Sequence, residues 1–205
     1  MQNIFRNGAS HNAVAVTDSP IAHFLFSDTR LAWLWLPLRL WLGWQWLYAG
    51  WEKLQNPAWM TTGTALQGYF QRAITVDPKP VAAFDWYRGI MEMLLNTGSY
   101  VWFAKLVTLG EVAVGIALII GAFTGVAAFT GAFMNWNYLM AGSASTNPLL
   151  FAFATWLVLA WKTAGWIGAD RWLLQALGTP WRPGFLVRHK RVQGEDDLLQ
   201  APRAA

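Results

Sequence analysis

Apolar residues gather in four long runs along this chain, at 31–50, 100–120, 123–141 and 148–166, separated by polar or turn-forming residues. About 20 apolar residues are enough for a helix to cross a ~30 Å hydrocarbon layer. With no water in that layer, a helix satisfies every backbone group within its own segment. The pattern therefore predicts four membrane-spanning helices. Only a few residues join the second run to the third, and GSASTN joins the third to the fourth. Neighbouring spans must then run antiparallel, giving an all-α, integral membrane, four-helix up-and-down bundle.

The stretch 51–99 is too long to be a plain connector. Leu66, Tyr69, Phe70 and Ile74 recur at helical spacing within 61–75, and Phe84, Tyr87, Ile90, Met91 and Leu94 do so within 81–96. Asp77, Pro78 and Pro80 punctuate between them. Two amphipathic helices are predicted here, lying on the outer surface or capping the bundle.

Composition agrees with a membrane chain: 55% of the 205 residues are hydrophobic and 13% charged, against roughly a quarter charged in soluble domains. Many of the 15 tryptophans fall at the predicted interfaces, as in an aromatic belt. The net charge of +4 is no sign of nucleic acid, because much of it sits in the tail at Arg182, Arg188, Lys190 and Arg191. That segment reads as a basic stretch facing anionic lipid. Residues 1–30 lack the pattern of a cleaved signal peptide, so the first span is expected to stay attached and act as the insertion signal. The tail, 182–205, ends in a segment expected to be disordered.

Basic residues set the predicted orientation. Four spans put both ends on one side, with Arg6, Arg30, Lys162, Arg171, Arg182, Arg188, Lys190, Arg191 and Arg203. The other side holds Lys53, Arg72, Lys79 and Arg88, balanced by Glu52, Asp77, Asp85 and Glu92. Both termini are therefore expected in the cytoplasm.

The absence of cysteine excludes disulfides, Fe–S clusters and zinc–thiolate sites built from this chain alone. His11, His23 and His189 all lie outside the runs, so no metal or haem is expected inside the bundle.

Two charges stand out against this background. Arg39 interrupts the first run and Glu111 the second. A charge facing lipid costs at least ~2.5–3.5 kcal/mol and normally turns inward to a partner. At 1.5 Å per residue, Arg39 lies about 12 Å and Glu111 about 13–14 Å from the inner side. The two are thus expected to pair, either as a structural lock between spans or as a centre that also meets a ligand or a proton. A second polar group gathers toward the outer end: Lys53, Lys105, Asn135, Asn137 and Tyr138, with Glu52 and Asn147. Gly131, Asn135 and Tyr138 share one helical face. Snorkelling lysines and helix-bridging asparagines explain these individually; converging from four helices, they would line an outward-opening pocket.

The arrangement R-x3-G-x6-G-x2-K-L (Arg39, Gly43, Gly50, Lys53, Leu54) resembles the opening of the DoxX/DoxD membrane proteins. E-x3-G-x2-L-x2-G-x2-T (Glu111, Gly115, Leu118, Gly121, Thr124) is similar to that family's second-span signature. N-W-N-Y-L-M-A-G from Asn135, the following Asn147–Pro148, and G-W-I-G-A-D-R-W-L-L from Gly165 resemble its DoxD-like branch. The likeness covers about 31–181. It implies a multi-pass protein of the bacterial plasma membrane and, in the DoxD branch, the large subunit of thiosulfate:quinone oxidoreductase. That enzyme joins thiosulfates into tetrathionate and passes the electrons to quinone, alongside a small partner subunit.

On that reading quinone is a co-substrate, and Lys53, Lys105 and Arg88 near the outer mouth, with Asn135 and Asn137, would hold the thiosulfate dianion. Arg39 and Glu111 would contact a quinone carbonyl or carry its protons. The alternatives are a non-catalytic anchor or assembly partner of a redox or oxidative-stress complex, and a transporter, for which four spans would have to oligomerise.

Overall fold

The computed structural model describes residues 18–76 and 78–178. Among these the regular structure is entirely helical. Helix α1 (Pro20–Ser27) leads through a short 3-10 turn into α2 (Ala32–Leu54). Then come α3 (Pro57–Met60), α4 (Thr64–Ile74) and α5 (Asp85–Asn96). The remainder is α6 (Tyr100–Ile120), α7 (Thr124–Met140), α8 (Asn147–Leu159), α9 (Trp161–Ala164) and α10 (Asp170–Leu177). The basic tail residues Arg182, Arg188, Lys190 and Arg191, together with Arg6, His11, Asp77 and His189, lie outside the described residues.

The four predicted spans appear as α2, α6, α7 and α8–α9, with two differences. The fourth is interrupted at Ala160, so α8 is 13 residues long. Of the four, α6 alone has both the length and the apolarity to cross a membrane unaided; α8 is apolar but shorter. In α2, Arg39, Gln45, Glu52, Lys53 and the tryptophans dilute the hydropathy of a 23-residue helix, and α7 has 17 residues. The predicted helices in 61–75 and 81–96 form as α4 and α5.

Helix α2 packs along α6, α7 along α8, and α6 against α7. Glycines set the register of the first pair. A Cβ at Gly43 would lie 3.0 Å from Leu118 Cβ, one at Gly115 2.5 Å from the backbone nitrogen of Leu47, and one at Gly50 2.8 Å from that of Val112. Position 43 thus faces 118, 47 faces 115 and 50 faces 112, so the helices run antiparallel in near backbone contact. The main core (Trp35, Leu42, Trp46, Val114, Leu118, Ala128, Ala154, Leu157) fills the space among α2, α6, α7 and α8. A second cluster, Leu66, Phe70, Tyr87, Met91 and Leu94 with Ala104 and Ala141, shows α4 and α5 capping one end of these helices.

The outward faces are strongly apolar. Leu106, Leu109 and Ile116 on α6, Val126 and Phe129 on α7, and Leu159 on α8 are all exposed. So continuous an apolar girdle suits hydrocarbon, not water.

Candidate functional site

The expected Arg39–Glu111 pair does not form. The register just described places Arg39 level with Gly121, ten residues beyond Glu111 and roughly 15 Å along the axis. The two charges would be level only if the first two spans ended at one depth. Instead, α2 begins well past the C-terminus of α6.

Arg39 is 2% exposed and donates to the carbonyls of Ala164 (2.9 Å) and Ile167 (2.8 Å). Its guanidinium rests on Gly121 and Gly168, where no Cβ would fit. Around it the 164–170 segment ties two helix ends together. The Ala169 and Asp170 amides donate to the Ile120 and Gly121 carbonyls at the end of α6. The Asp170 carboxylate accepts from the Phe123 (2.5 Å) and Thr124 (2.8 Å) amides at the start of α7. Orphan carbonyls of one helix and orphan amides of the next are satisfied by one loop. Arg39 and Asp170 therefore belong to a capping knot.

Glu111 sits at the other end. Lys53 Nζ lies 2.9 and 2.7 Å from its two oxygens, and the Tyr138 hydroxyl donates to Oε1 at 2.5 Å. The Lys53 side chain is 21% exposed and that of Glu111 1%, so the ammonium reaches the carboxylate from a partly open space. That space is a chamber of about 340 Å³ lined by Trp46, Glu52, Lys53, Trp59, Tyr69, Glu111, Asn135, Tyr138 and Asn147 among others. Lys53 also lies over the Trp59 ring, 5.2 Å from its centroid. Asn135 is fully buried and neither its amide nitrogen nor its amide oxygen has a partner; the Trp46 indole N–H is likewise unpartnered.

A second, larger cavity of about 550 Å³ lies under α4 and α5, walled by Phe70, Trp86, Ile90, Met91, Phe103 and Met134 among others. Leu66, Tyr69 and Tyr138 line both spaces. The Tyr69 hydroxyl donates to the Tyr138 carbonyl (3.3 Å), and that of Tyr87 to Asn137 (3.0 Å to its carbonyl). Burial raises the phenol pKa of Tyr69 and pushes that of Tyr87 up to about 12.

Lys53, Asn135 and Tyr138 of the expected outer cluster line one chamber, and Glu111, expected to pair with Arg39, joins them there instead. The expected cation trio is not assembled. Lys105 is exposed on α6 and lines neither cavity. Arg88 turns to the Ala82 carbonyl (2.7 Å) and to Asp85. Asn137 lines the apolar cavity, with its amide donating to the Phe133 carbonyl. Sequence reasoning missed Trp46, Trp59, Tyr69 and Asp170. A signal for Trp46 existed: Arg39, Trp46 and Lys53 recur at intervals of seven, which puts them on one helical face. Among the described residues no group of three or more His, Asp or Glu side chains is placed to hold a metal ion.

The sequence model of the DoxX family matches residues 34–141, which contain Arg39, Lys53, Glu111, Asn135 and Tyr138. No curated protein and no solved structure matches the chain.

Proposed function

This chain belongs to the DoxX family of membrane proteins, and from that premise we propose that it is the quinone-binding membrane subunit of an oxidoreductase. In this reading α2, α6, α7 and α8–α9 cross the bacterial plasma membrane as an up-and-down bundle. The exposed apolar faces of α6, α7 and α8 and the antiparallel register of α2 on α6 support it. The basic residues Arg30, Lys162 and Arg171 support a cytoplasmic position for the capping-knot end, with α4 and α5 on the opposite side.

One observation carries the quinone assignment: Tyr138, whose hydroxyl holds Glu111, lines both the chamber that holds the Lys53–Glu111 pair and an apolar cavity. A quinone has the same two characters, carbonyl oxygens on a ring and an apolar tail. Its reduction takes two electrons and two protons, delivered at those oxygens. With no cysteine in the chain, the electrons are assigned to a reductant held by a partner. The chain's own part is to bind, exclude water and move protons. Glu111 is the proton carrier, kept in place by the Lys53 ammonium and the Tyr138 hydroxyl. Lys53 draws its proton supply from the chamber, where it is part exposed.

The chamber does not favour a dianion. Glu52 and Glu111 face it against the single ammonium of Lys53, and the other two cations expected for thiosulfate lie elsewhere. The thiosulfate half-reaction is therefore assigned to no site on this chain.

The test is purification in mild detergent followed by solvent extraction and by thermal unfolding with added short-tail benzoquinone. Co-purifying quinone and a raised melting temperature are expected. Glu111→Gln should keep binding while lowering the rate of quinone reduction in membranes where the partner supplies the electrons. If no quinone is extracted and none stabilises the protein, this function is wrong.

A second reading, a non-catalytic assembly partner, is favoured by the exposed Val76, Val81, Phe84 and Trp86 in the outer segment. A co-purifying protein without any quinone would select it.

A further inference from the structure

We propose that Trp46 and Asn135 form the seat for one carbonyl oxygen of an uncharged ring ligand in the chamber that holds the Lys53–Glu111 pair; this rests on the quinone reading and gives it an address. Both side chains line the chamber and are almost wholly buried. The indole Nε1, the amide Nδ2 and the amide Oδ1 all lack a hydrogen-bond partner. A buried polar atom left unpaired loses its hydration without return, so two donors and an acceptor unpaired on two residues of one chamber mark an incomplete set.

Gly131 is what lets the Trp46 indole approach α7 closely. A Cβ there would lie 2.9 Å from the Trp46 Nε1 atom. Asn135 is one turn further along the same face of α7. The N–H edge of the indole therefore reaches the face of α7 that carries Asn135. Two unpaired N–H donors on the wall of one chamber ask for an acceptor oxygen.

Charge narrows the class of acceptor. Glu52 and Glu111 line the same chamber with one ammonium, already bound to Glu111, so an anionic ligand is disfavoured. A neutral carbonyl accepts from both donors without that repulsion. The aromatic walls, Trp46, Trp59 and Tyr69, with Leu66 and Leu150, suit the body of a ring. Glu111, on the same chamber, is then the nearby carboxylate that relays a proton from Lys53 to that ligand. Trp46 and Asn135 themselves position the oxygen.

The experiment measures equilibrium binding of a short-tail benzoquinone, and of an alkylbenzene with the same tail but no oxygens, to the purified full-length protein. The variants are Trp46→Phe, which deletes the N–H and keeps an aromatic ring, and Asn135→Leu, which keeps the approximate shape. Each is expected to weaken the quinone about tenfold, as loss of a buried hydrogen bond does, and to leave the alkylbenzene unchanged. Infrared difference spectra should show the bound carbonyl stretch returning toward its unbonded frequency in both variants. Quinone binding within twofold of the unaltered protein in both variants, with the carbonyl band unmoved, overturns the seat but not the quinone reading. Equal losses for quinone and alkylbenzene also overturn it, since they report a packing defect. No benzoquinone binding by the unaltered protein overturns both.

Discussion

The ammonium of Lys53 donates to both carboxylate oxygens of Glu111, at 2.9 and 2.7 Å, across the contact between α2 and α6. The carboxylate is closed off from solvent while the ammonium keeps an edge on the chamber. Neutralising one member alone therefore strands the other. Lys53→Met should destabilise the protein by about 2–4 kcal/mol, because a buried carboxylate loses its cation. Glu111→Gln should cost less, since Lys53 can turn outward. Their effects should be strongly non-additive, with a coupling of about 1–3 kcal/mol in a double-mutant cycle followed by unfolding in micelles. Simple additivity would show that the pair does not act as a unit.

Asp170 caps α7 from far along the chain, and Asp170→Ala removes acceptors for two backbone amides at once. A loss of about 2 kcal/mol is expected. Asp170→Asn, which keeps one acceptor oxygen, should fall between. Circular dichroism melts of the three proteins give the order.

Arg39 bridges two carbonyls, and a lysine carries the same charge without the fork. Arg39→Lys should be nearly as destabilising as Arg39→Met, while quinone affinity in the protein that remains folded stays unchanged. A selective loss of quinone binding in Arg39→Lys would return this residue to the ligand site.

Two glycines on α6 make a matched pair. A Cβ at Gly115 would press on the α2 backbone, whereas one at Gly110 would meet only the flexible end of Met134 at 3.6 Å. Gly115→Ala should cost about 1–3 kcal/mol by overpacking. Gly110→Ala should be neutral or slightly stabilising, from helix propensity. Melting temperatures measured side by side decide it.

Burial pushes the Tyr87 phenol up to about 12, so the folded protein holds this proton longer than the unfolded chain does. The associated stability is complete below about pH 10, the unfolded value, and is lost as pH rises through about 12. Tyr87→Phe should flatten the fall in stability across that window. It should also cost about 1 kcal/mol at neutral pH, through the lost bond to Asn137. Denaturation curves at a series of alkaline pH values test both parts.

The runs of apolar residues located α2, α6, α7 and α8 because a helix with apolar surroundings on most of its faces must carry apolar residues along its whole length. The spacing of Leu66, Tyr69, Phe70 and Ile74 likewise announced α4. Glu111, Lys53 and Asn135 could be singled out in the same way, since polar groups in such surroundings need partners. Who partners whom was beyond that reading. It depends on the stagger of α2 against α6, which is fixed by Gly43, Gly50 and Gly115 letting two backbones touch at one register. It also depends on a loop at 164–170 returning to claim Arg39. Identity and period are properties of single segments, and so are written along the chain. Axial offset between segments is a property of packed surfaces, and here a shift of about ten residues separates one imagined centre into a structural knot and a site.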